Sequence, residues 1–351
     1  MKNRLYQLIY RVQLLLALLT LLAFYSPSIS PNQFWPAAFL SLMIPILLVA
    51  HLGFVLWWLI HRRYYLLVSL ACIVAGWGHL QRIAGWAFPS EPEATETAIS
   101  VLTYNVHGLR HRSDNSNVPV AEIAELAVSR NCDVLCLQEF PRSGARLEQL
   151  SAQLAERSRL RYHYSDPNGN FALFSAHPIA APQTQYFPNR SNGYQQADLR
   201  IGDNTVRVIN AHLQTNAVTR MTDKIASEGD LKEKQTWLDI RGVMGRFRRS
   251  ARQRALQSEE IARLIAGSPH PVLLCGDFND TPYSYTYRTL ADGLQDAFSA
   301  KGRGLGITYA GRIPALRIDY VLADQRLRVL DHRIEKKSFS DHRAVWSRVG
   351  L

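Results

Sequence analysis

Three long hydrophobic runs occupy the first quarter of the chain, at residues 5–25, 34–60 and 64–88. Each is close to or longer than the roughly 20 residues that a helix needs to cross a bilayer core of about 30 Å. The first acidic residue of the chain is Glu91, so no carboxylate interrupts these runs. The pattern predicts a membrane region over residues 1–88 with three transmembrane helices.

The basic residues beside these runs predict how the helices are oriented. Lys2, Arg4 and Arg11 stand at the beginning of the chain, and a His-Arg-Arg segment at 61–63 follows the second run. By the positive-inside rule both segments are cytoplasmic, and three crossings then place the rest of the chain on the non-cytoplasmic side. Two alternatives stay open. The first run also fits a secretory signal peptide, and a third run lying in the interface would leave the following domain in the cytoplasm.

Beyond the membrane region the hydrophobic pattern changes to short runs. Residues 89–97 predict a linker, and residues 98–351 are long enough for one large domain. Apolar, β-branched runs predict strands at 99–104, 134–138, 171–174, 206–211, 272–275, 318–322 and 344–348. Helical patterns are clearest at 120–130, 146–157 and 252–266. This interleaving predicts an α/β domain of two packed mixed sheets with helices outside.

Charge and cysteine content add little to this picture. The net charge is +11, and the part after residue 90 holds 34 basic against 29 acidic residues, an excess of +5. This excess is compatible with an anionic substrate or anionic lipid and requires neither. Cys72, Cys132, Cys136 and Cys275 lie in or beside apolar stretches without zinc-site spacing, so we expect buried free thiols.

Two polar segments have open interpretations. Residues 215–250 are rich in charge and predict a helical excursion or a mobile loop, either as a solvated face or as a basic arm towards substrate or membrane. The Gly-Arg-Gly-Leu-Gly segment at 302–306 lacks the Gly-Lys-Ser/Thr ending of a phosphate-binding loop. We therefore predict a flexible connection there.

Polar residues that can bind a metal or transfer a proton lie at the ends of the predicted strands. Asp277 and Asn279 follow an apolar strand, and an extended backbone directs both to one face and Phe278 to the other. Carboxylate and amide oxygens suit a hard cation such as Mg²⁺. Because Asp-x-Asn is also common in turns, this motif alone does not establish a metal site.

Other strand ends carry the same kind of residues. Asn105 and His107 have the same two-residue spacing at the end of the first strand, and Glu139 directly follows the second. Asn210 and His212 share one face at the end of a later strand. Glu139 is the natural carboxylate partner for a metal in this set.

The adjacent Asp341 and His342 can serve one site only if they lie in a turn. Asp319 could accept a proton from His342 and fix its tautomer, or could form a buried salt bridge with Arg317. A serine hydrolase triad with Ser340 is not favoured, because the chain has no Gly-x-Ser-x-Gly motif.

Taken in their order along the chain, these short polar motifs resemble those of the endonuclease/exonuclease/phosphatase superfamily, which has the deoxyribonuclease-I-like fold. The resemblance covers residues 99–349 and is carried by Tyr-Asn-Val-His-Gly (104–108), Leu-Gln-Glu (137–139), Asn-Phe-Ala-Leu-Phe-Ser (170–175), Asn-Ala-His-Leu (210–213), Gly-Asp-Phe-Asn (276–279), Arg-Ile-Asp-Tyr (317–320) and Ser-Asp-His (340–342). It implies a four-layer α/β sandwich and hydrolysis of phosphate esters with Mg²⁺ or Mn²⁺.

The resemblance also implies roles for individual residues. The predicted metal residues are Asn105, Glu139 and Asp341. The predicted catalytic residues are Asp277 and Asn279, which orient water and hold the phosphate, His212 and His342, which contact the phosphate and transfer protons, and Asp319, which orients His342. The predicted substrate-binding residues are Asn105, His212, Asn279 and Asn170.

The sequence thus predicts a membrane-anchored, metal-dependent phosphodiesterase of the nuclease type. Its partners would be a phosphoester substrate, either nucleic acid or a lipid headgroup, and a lipid bilayer around the N-terminal helices. One alternative is a lipid or small-molecule phosphoesterase, similar to a sphingomyelinase or a phosphoinositide phosphatase. The other is a binding protein that keeps the fold without catalysis.

Overall fold

The computed structural model describes residues 2–61, 63–87, 97–142, 144–166, 169–188, 191–215, 234–311 and 316–351. The predicted linker lies outside these ranges apart from its last residue. Most of the charged half of the 215–250 segment, residues 216–233, also lies outside them.

The N-terminal part is an antiparallel bundle of helices. Its helices are α1 Lys2–Tyr25, α2 Pro36–Leu42, α3 Ile44–Ile60, α4 Leu66–Ala75 and α5 Trp77–Ile83. The segment Arg4–Ser28 is long and apolar enough to cross a bilayer as one helix. The pairs α2–α3 and α4–α5 reach that length only if each bent pair counts as one crossing, with bends of 47° and 64°. The described residues therefore provide between one and three candidate spans.

The breaks in the bundle have local causes. Pro45 lies in the first turn of α3, where its ring and missing N–H prevent α2 from continuing into α3. Gly76 separates α4 from α5, and a Cβ there would lie 2.6 Å from the Phe24 ring and 2.9 Å from Leu48. The close packing of three helices at this point requires glycine.

Two expectations for the segments at the end of the bundle were wrong. The third hydrophobic run does not remain helical to residue 88, because α5 ends at Ile83 and Ala84–Trp86 form strand β1. The 302–306 segment contains a second strand, Arg303–Leu305, which pairs antiparallel with β1. A Cβ on Gly85 would lie 2.2 Å from the Gly302 carbonyl oxygen, so glycine permits this pairing. The sequence pattern missed it because the pairing is long-range.

The rest of the chain forms two six-stranded mixed sheets. With the Arg303–Leu305 strand as β11, the strands of the first sheet, in the order β13-β14-β2-β3-β5-β4, are β2 Ala98–Asn105, β3 Val134–Phe140, β4 Tyr162–Ser165, β5 Asn170–Ser175, β13 Arg328–Ile334 and β14 Val345–Gly350. Those of the second, in the order β10-β12-β9-β8-β7-β6, are β6 Ile179–Tyr186, β7 Gly193–Ile201, β8 Asn204–His212, β9 Val272–Asp277, β10 Leu294–Asp296 and β12 Asp319–Asp324.

Helices cover the outer faces of both sheets. They are α6 Val120–Ser129, α7 Gly144–Arg157, α8 Lys234–Ala266, α9 Tyr285–Leu290 and α10 Ala297–Lys301. One apolar cluster joins α6 and α7 to the first sheet, a second lies between the sheets, and a third joins α8 and α9 to the second sheet. Three apolar interfaces make four layers, so the predicted four-layer α/β sandwich is confirmed.

Several elements differ from the sequence prediction. Helix α8 begins at Lys234, well before the predicted start at 252. The prediction missed this start because the first half of the helix carries many arginines and a weak apolar pattern. Strands β4, β6, β7, β10 and β13 were not predicted. Strands β4 and β6 lie at sheet edges with partly exposed residues, and they lack the apolar runs of the central strands.

Candidate active site

The second sheet brings three predicted site residues into register. His212 ends β8 and is paired with Asp277, which ends the parallel neighbour β9. Asp319 begins β12, which runs antiparallel to β9, and it is also paired with Asp277. One row of the sheet therefore presents an imidazole and two carboxylates, all at least nine-tenths buried.

The backbone at the end of β9 is shaped by two residues with positive φ, Gly276 within the strand and Asn279 after it. Gly276 has φ +133°, and a Cβ there would lie 2.0 Å from the Ala211 carbonyl oxygen, so only glycine fits. Asn279 has φ +52°, and this turn lets its backbone N–H donate to Asp277 Oδ1 at 2.8 Å. The Asn279 amide donates to Asp277 Oδ2 at 3.1 Å, while Phe278 is fully buried in the core. The expected division of faces is present.

Asn105 links the two sheets at the site. It ends β2 in the first sheet, and its side-chain N–H group donates to Asp277 Oδ2 and to Glu139 Oε1, both at 3.0 Å. Its side-chain oxygen accepts the His107 N–H at 3.1 Å. As placed, Asn105 positions two carboxylates with its nitrogen, and its predicted role as a metal ligand stays a prediction.

Glu139 is directed into the cavity by a β-bulge. The pairing of β3 with β5 shifts between Gln138 and Phe140, and Glu139 has φ +51°. Its side chain is 36% exposed, and Oε1 lies 3.6 Å from His212 Nε2. Burial opposes ionisation, but His212 and the Asn105 hydrogen bond outweigh it and lower the pKa of Glu139. Glu139 is therefore an ionised carboxylate facing open space.

His342 lies in the predicted turn and is held by Asp319. Its backbone N–H donates to Ser340 Oγ at 3.1 Å, and Ser340 Oγ donates to the Asn105 carbonyl at 2.8 Å, which fixes the turn to β2. His342 Nδ1 lies 3.0 and 3.1 Å from the two Asp319 oxygens. The structure thus contains the pairing that would fix the His342 tautomer.

The alternative pairing of Asp319 with Arg317 is wrong. The Arg317 guanidinium forms a bidentate ion pair with Asp296, at 2.7 and 3.0 Å, on the other side of the strand. Both groups are buried. Burial alone would raise the pKa of Asp296, but the Arg317 guanidinium outweighs burial and lowers this pKa to about 2. Asp319 remains available to His342.

One carboxylate and one imidazole in the site have strongly shifted pKa values. Burial raises the pKa of Asp277 to about 7, although His342 opposes this shift. Burial alone would lower the pKa of His342, but Asp319 and Asp277 raise it well above the ordinary value. His342 Nε2 lies 3.6 Å from Asp277 Oδ2. Near neutral pH the geometry offers a proton acceptor beside a cationic donor.

His212 differs from His342 because no carboxylate supports its second nitrogen. Nε2 lies 3.7 Å from Asp277 Oδ2, whereas Nδ1 is buried with no hydrogen-bond partner within the described ranges. Burial lowers the pKa of His212 despite the nearby Glu139. A neutral imidazole is therefore placed opposite the charged His342.

Asp341 and His107 border the open side of the site. The Asp341 side chain is 24% exposed, and Oδ1 lies 3.4 Å from His107 Nδ1. The same His107 nitrogen lies 3.8 Å from Glu139 Oε2, so His107 stands between the two carboxylates. The sequence pattern paired His107 with Asn105 at the end of β2, but it assigned His107 no role in the site.

All predicted site residues except the buried Asn105 and Asp319 line one cavity of about 650 Å³. Asn170 lies on its wall at the beginning of β5, has φ +69° and shares a side-chain hydrogen bond with Tyr186. Tyr309 also lines the cavity, with its ring 5.5 Å from His342. Tyr309 could not be found from the sequence, because it lies in a loop without a recognisable motif.

Asn210, although it shares a sequence face with His212, lies beneath the site. Its amide donates to the Leu137 carbonyl at 3.1 Å, and its oxygen accepts from Gln138 at 2.6 Å. Arg254 of α8 is fully buried and paired with Asp280 at 3.0 Å. Both residues support the scaffold around the cavity.

Two groups of residues have the chemistry to hold a divalent cation. Asp277, Asp319 and His342 have ligand atoms within 4.8 Å of one another, but the His342–Asp319 hydrogen bond occupies part of this set. Glu139 and Asp341 are more exposed and offer carboxylate oxygens to the cavity. Mg²⁺ keeps several waters and uses one or two protein carboxylates, so Glu139 and Asp341 fit it better.

The chain matches two family models. Residues 102–342, more than half of the chain, match the model described as "Endonuclease/Exonuclease/phosphatase family". Residues 6–83 match a model described as "Domain of unknown function (DUF8431)". No curated protein matches the chain.

Solved structures with the same fold cover most of the chain. An endonuclease/exonuclease/phosphatase from Beutenbergia cavernae is 20% identical with a TM-score of 0.53, covering 72% of this chain and 72% of that one. Humanized D. rerio TDP2 is 14% identical with a TM-score of 0.52, covering 72% and 99%. D. rerio TDP2 complexed with single strand DNA product is 15% identical with a TM-score of 0.51, covering 73% and 100%.

At these identities the solved structures show a shared fold, and the family model supplies the assignment by sequence. The match extends from β2 to His342 and includes every strand that contributes a site residue. The chain belongs to the endonuclease/exonuclease/phosphatase family.

Proposed function

We propose that this protein is a membrane-anchored, metal-dependent phosphodiesterase. The observation that carries the proposal is the convergence of Asp277, the His342–Asp319 pair and Glu139 on one cavity. A phosphodiester is anionic, and its hydrolysis needs a proton acceptor for water and positive charge around the phosphorus. The cavity supplies both.

In this proposal each side chain has a defined task. Asp277, held by Asn279 and Asn105, accepts a proton from the water that attacks phosphorus, since a pKa near the working pH suits a general base. His342, kept protonated by Asp319, donates a hydrogen bond from Nε2 to the phosphate and offsets its charge. As water bonds to phosphorus, the bond from phosphorus to the leaving ester oxygen breaks, and that oxygen takes the Nε2 proton of His342. His212 contacts the phosphate from the opposite wall.

Glu139 and Asp341 would hold the Mg²⁺ or Mn²⁺ ion, and Asn105 would keep Glu139 in position. When bound, the ion supplies a Lewis acid for a phosphate oxygen. Asn170 would contact the substrate from the wall at β5.

We further propose that the helices between Lys2 and Ile83 form three crossings, that residues 89–97 form a linker, and that residues 98–351 form the catalytic domain. Lys2, Arg4 and Arg11 belong to the end of the bundle where α1 begins. The catalytic domain contacts the other end, through β1 and through Asn32, whose amide donates to the Arg252 carbonyl at 3.3 Å. The positive-inside rule then supports a non-cytoplasmic catalytic domain.

A lipid phosphoester is the second candidate substrate. The specific observation in its favour is the strand pairing of β1 with β11, which joins the end of the bundle directly to the catalytic domain. Nucleic acid is favoured by a fold neighbour, D. rerio TDP2, which was solved with a single-strand DNA product. Hydrolysis assays on both substrate classes distinguish between nucleic acid and lipid.

The test is hydrolysis by the full-length protein in nanodiscs, with Mg²⁺ and with EDTA. The substrates are bis(p-nitrophenyl) phosphate, plasmid DNA, RNA, sphingomyelin and a phosphoinositide. We expect Mg²⁺-dependent hydrolysis of the small diester that Asp277→Asn abolishes. Asp203→Asn is the matched control, because Asp203 is exposed in the turn at the opposite end of β8. Absence of hydrolysis on every substrate would overturn the proposal in favour of a binding protein.

A further inference from the structure

Helix α8 carries an exposed face that the active site does not use. Between residues 237 and 256, the exposed large apolar residues are Trp237 at 57%, Leu238 at 49% and Leu256 at 57%. The arginines Arg241, Arg248 and Arg249 are also exposed. At 3.6 residues per turn these six side chains fall within a sector of about 120°.

The charge of this face is uniformly positive. Between Trp237 and Leu256 the helix has a single acidic residue, Asp239, which the helical geometry places outside the sector. Within the described ranges, Arg241, Arg248 and Arg249 have no carboxylate partner. A combination of arginines with exposed tryptophan and leucine on one face is typical of helices that lie in a membrane interface.

The same helix is fixed to the end of the bundle. The Phe247 ring lies 6.3 Å from the Phe39 ring of α2, and Arg252 Nε donates to the Pro31 carbonyl at 3.3 Å. The Asn32 amide donates back to the Arg252 carbonyl at 3.3 Å. The position of α8 relative to the bundle is therefore set by the Phe247 ring and by the side chain and carbonyl of Arg252.

This end of the bundle has the composition of a membrane–water interface. Tyr25, Phe34, Trp77 and Trp86 are all more than half exposed, and they lie at the ends of α1, α5 and β1 or in the connection to α2. Tyrosine and tryptophan concentrate at the level of lipid headgroups. The contacts of Phe247 and Arg252 join α8 to this same end of the bundle.

We propose that the Trp237–Leu256 face of α8 lies on the bilayer surface and binds anionic phospholipid headgroups. Trp237 and Leu238 enter the interface, and Arg241, Arg248 and Arg249 contact headgroup phosphates. This inference rests on the proposed membrane anchoring, and it adds a second membrane contact made by the catalytic domain itself.

This contact places the active site close to the lipid surface. On the opposite side of α8, Ser250 Oγ donates to the Thr215 carbonyl at 3.0 Å and Arg254 donates to the Gln214 carbonyl at 2.9 Å. Thr215 lines the active-site cavity. Since a helix with side chains is about 10 Å across, the cavity wall lies about one helix diameter from the lipid-facing surface.

The test is spin labelling of the full-length protein in nanodiscs with and without phosphatidylglycerol. The native cysteines are buried, so Leu238→Cys, Leu18→Cys and Gln149→Cys give selective labels on α8, on the lipid-facing side of α1 and on exposed α7. We expect the Leu238 label to favour collision with oxygen over a water-soluble nickel complex, as the Leu18 label does, and more so with phosphatidylglycerol. The Gln149 label should remain aqueous.

The labels separate this inference from the anchoring on which it rests. An aqueous Leu238 label beside a lipid-exposed Leu18 label would overturn the α8 contact and leave the anchor intact. Aqueous labels at both positions would overturn both.

The proposed binding of headgroups by the three arginines is tested separately. Replacing Arg241, Arg248 and Arg249 with glutamine should remove the phosphatidylglycerol-dependent immersion of the Leu238 label. The same replacement at the exposed Arg157, Arg161 and Arg200 should leave it unchanged. Equal effects of the two triple variants would contradict specific headgroup binding.

Discussion

The N-terminal helical bundle and the domain that follows it each contain a buried polar network, and among the described residues only the second network has an unsatisfied group. In the bundle, Trp58 donates to Gln13 at 2.7 Å, Gln13 donates to Ser69 at 2.8 Å, and Ser69 lies 2.9 Å from His51 Nδ1. His51 Nε2 lies 3.0 Å from Thr20, whose hydroxyl donates to a carbonyl of its own helix. Every donor in this chain has an acceptor when His51 is neutral.

The active-site network uses similar residues without this balance. Asp277 accepts from Asn105 and Asn279 and also lies beside two histidines. His212 Nδ1 is unpartnered within the described ranges, and burial raises the pKa of Asp277 to about 7.

The difference separates a structural network from a chemical one. A fully satisfied network stabilises one arrangement of helices, whereas displaced pKa values beside a cavity concentrate at sites that move protons. Polar residue types alone do not distinguish the two. The predictions below test this distinction by removing one member at a time.

Replacement of Asp277 should have the largest effect. Asp277→Asn keeps the size of the side chain and removes the proton acceptor, so we expect hydrolysis of bis(p-nitrophenyl) phosphate to fall by about 10³-fold. In the wild type, activity should fall as the pH decreases through about 7, because Asp277 becomes protonated. Activity of Asp277→Asn within tenfold of Asp203→Asn would exclude Asp277 as the base.

The same residue should lower stability in the metal-free protein. Its folded pKa of about 7 exceeds the ordinary value of 3.8, so the stabilisation from the protonated form is complete below pH 4 and is lost as the pH rises through 7. In EDTA, Asp277→Asn should therefore melt at a higher temperature than the wild type at pH 8. The two proteins should converge near pH 4, and a lower melting temperature for the variant at pH 8 would contradict the desolvated carboxylate.

Replacement of Asp319 should have the next largest effect on turnover. Asp319→Asn removes the main group that keeps His342 protonated, so we expect a loss of about 10²-fold in kcat and an alkaline limb shifted to lower pH. Asp324→Asn, at the other end of β12 and paired with Arg326, is the control. An unchanged pH profile would mean that Asp319 has only a structural role.

Replacement of Glu139 should change metal dependence more than folding. Glu139→Gln removes one of the two partly exposed carboxylates, and we expect the Mg²⁺ concentration for half-maximal activity to rise by about tenfold or more. The measurement is a Mg²⁺ titration of activity, with Glu148→Gln on exposed α7 as the control. Equal Mg²⁺ dependence in the two variants would move the metal to Asp277, Asp319 and His342.

The bundle network should give the smallest effect and leave catalysis unchanged. Gln13→Leu leaves the Trp58 N–H without its acceptor and removes the hydrogen bond that Gln13 donates to Ser69, and we expect a loss of about 1 kcal/mol in the free energy of unfolding. Unfolding by SDS in mixed micelles measures this change, and Gln7→Leu on the exposed side of α1 is the control. A loss of hydrolysis of the small diester in Gln13→Leu would show that the two networks are coupled.

The sequence by itself determined the central strands and the apolar runs of the bundle, and it named most of the candidate site residues. Hydrophobic runs located β2, β3, β8 and β9 because central strands are buried on both faces. Polar residues at the ends of such runs are individually common in turns, but their ordered set along the chain resembles that of one family. This is why Asn105, Glu139, His212 and Asp277 could be found without a structure.

The tertiary structure decided which of these residues meet and how they are charged. Strand register placed Asp319 beside Asp277, and the ion pair of Arg317 with Asp296 left Asp319 for His342. The sequence did not predict the β1–β11 pairing, the length of α8 or the positions of His107 and Tyr309. These features depend on contacts between segments that are distant in the sequence, and local secondary-structure propensity does not predict such contacts.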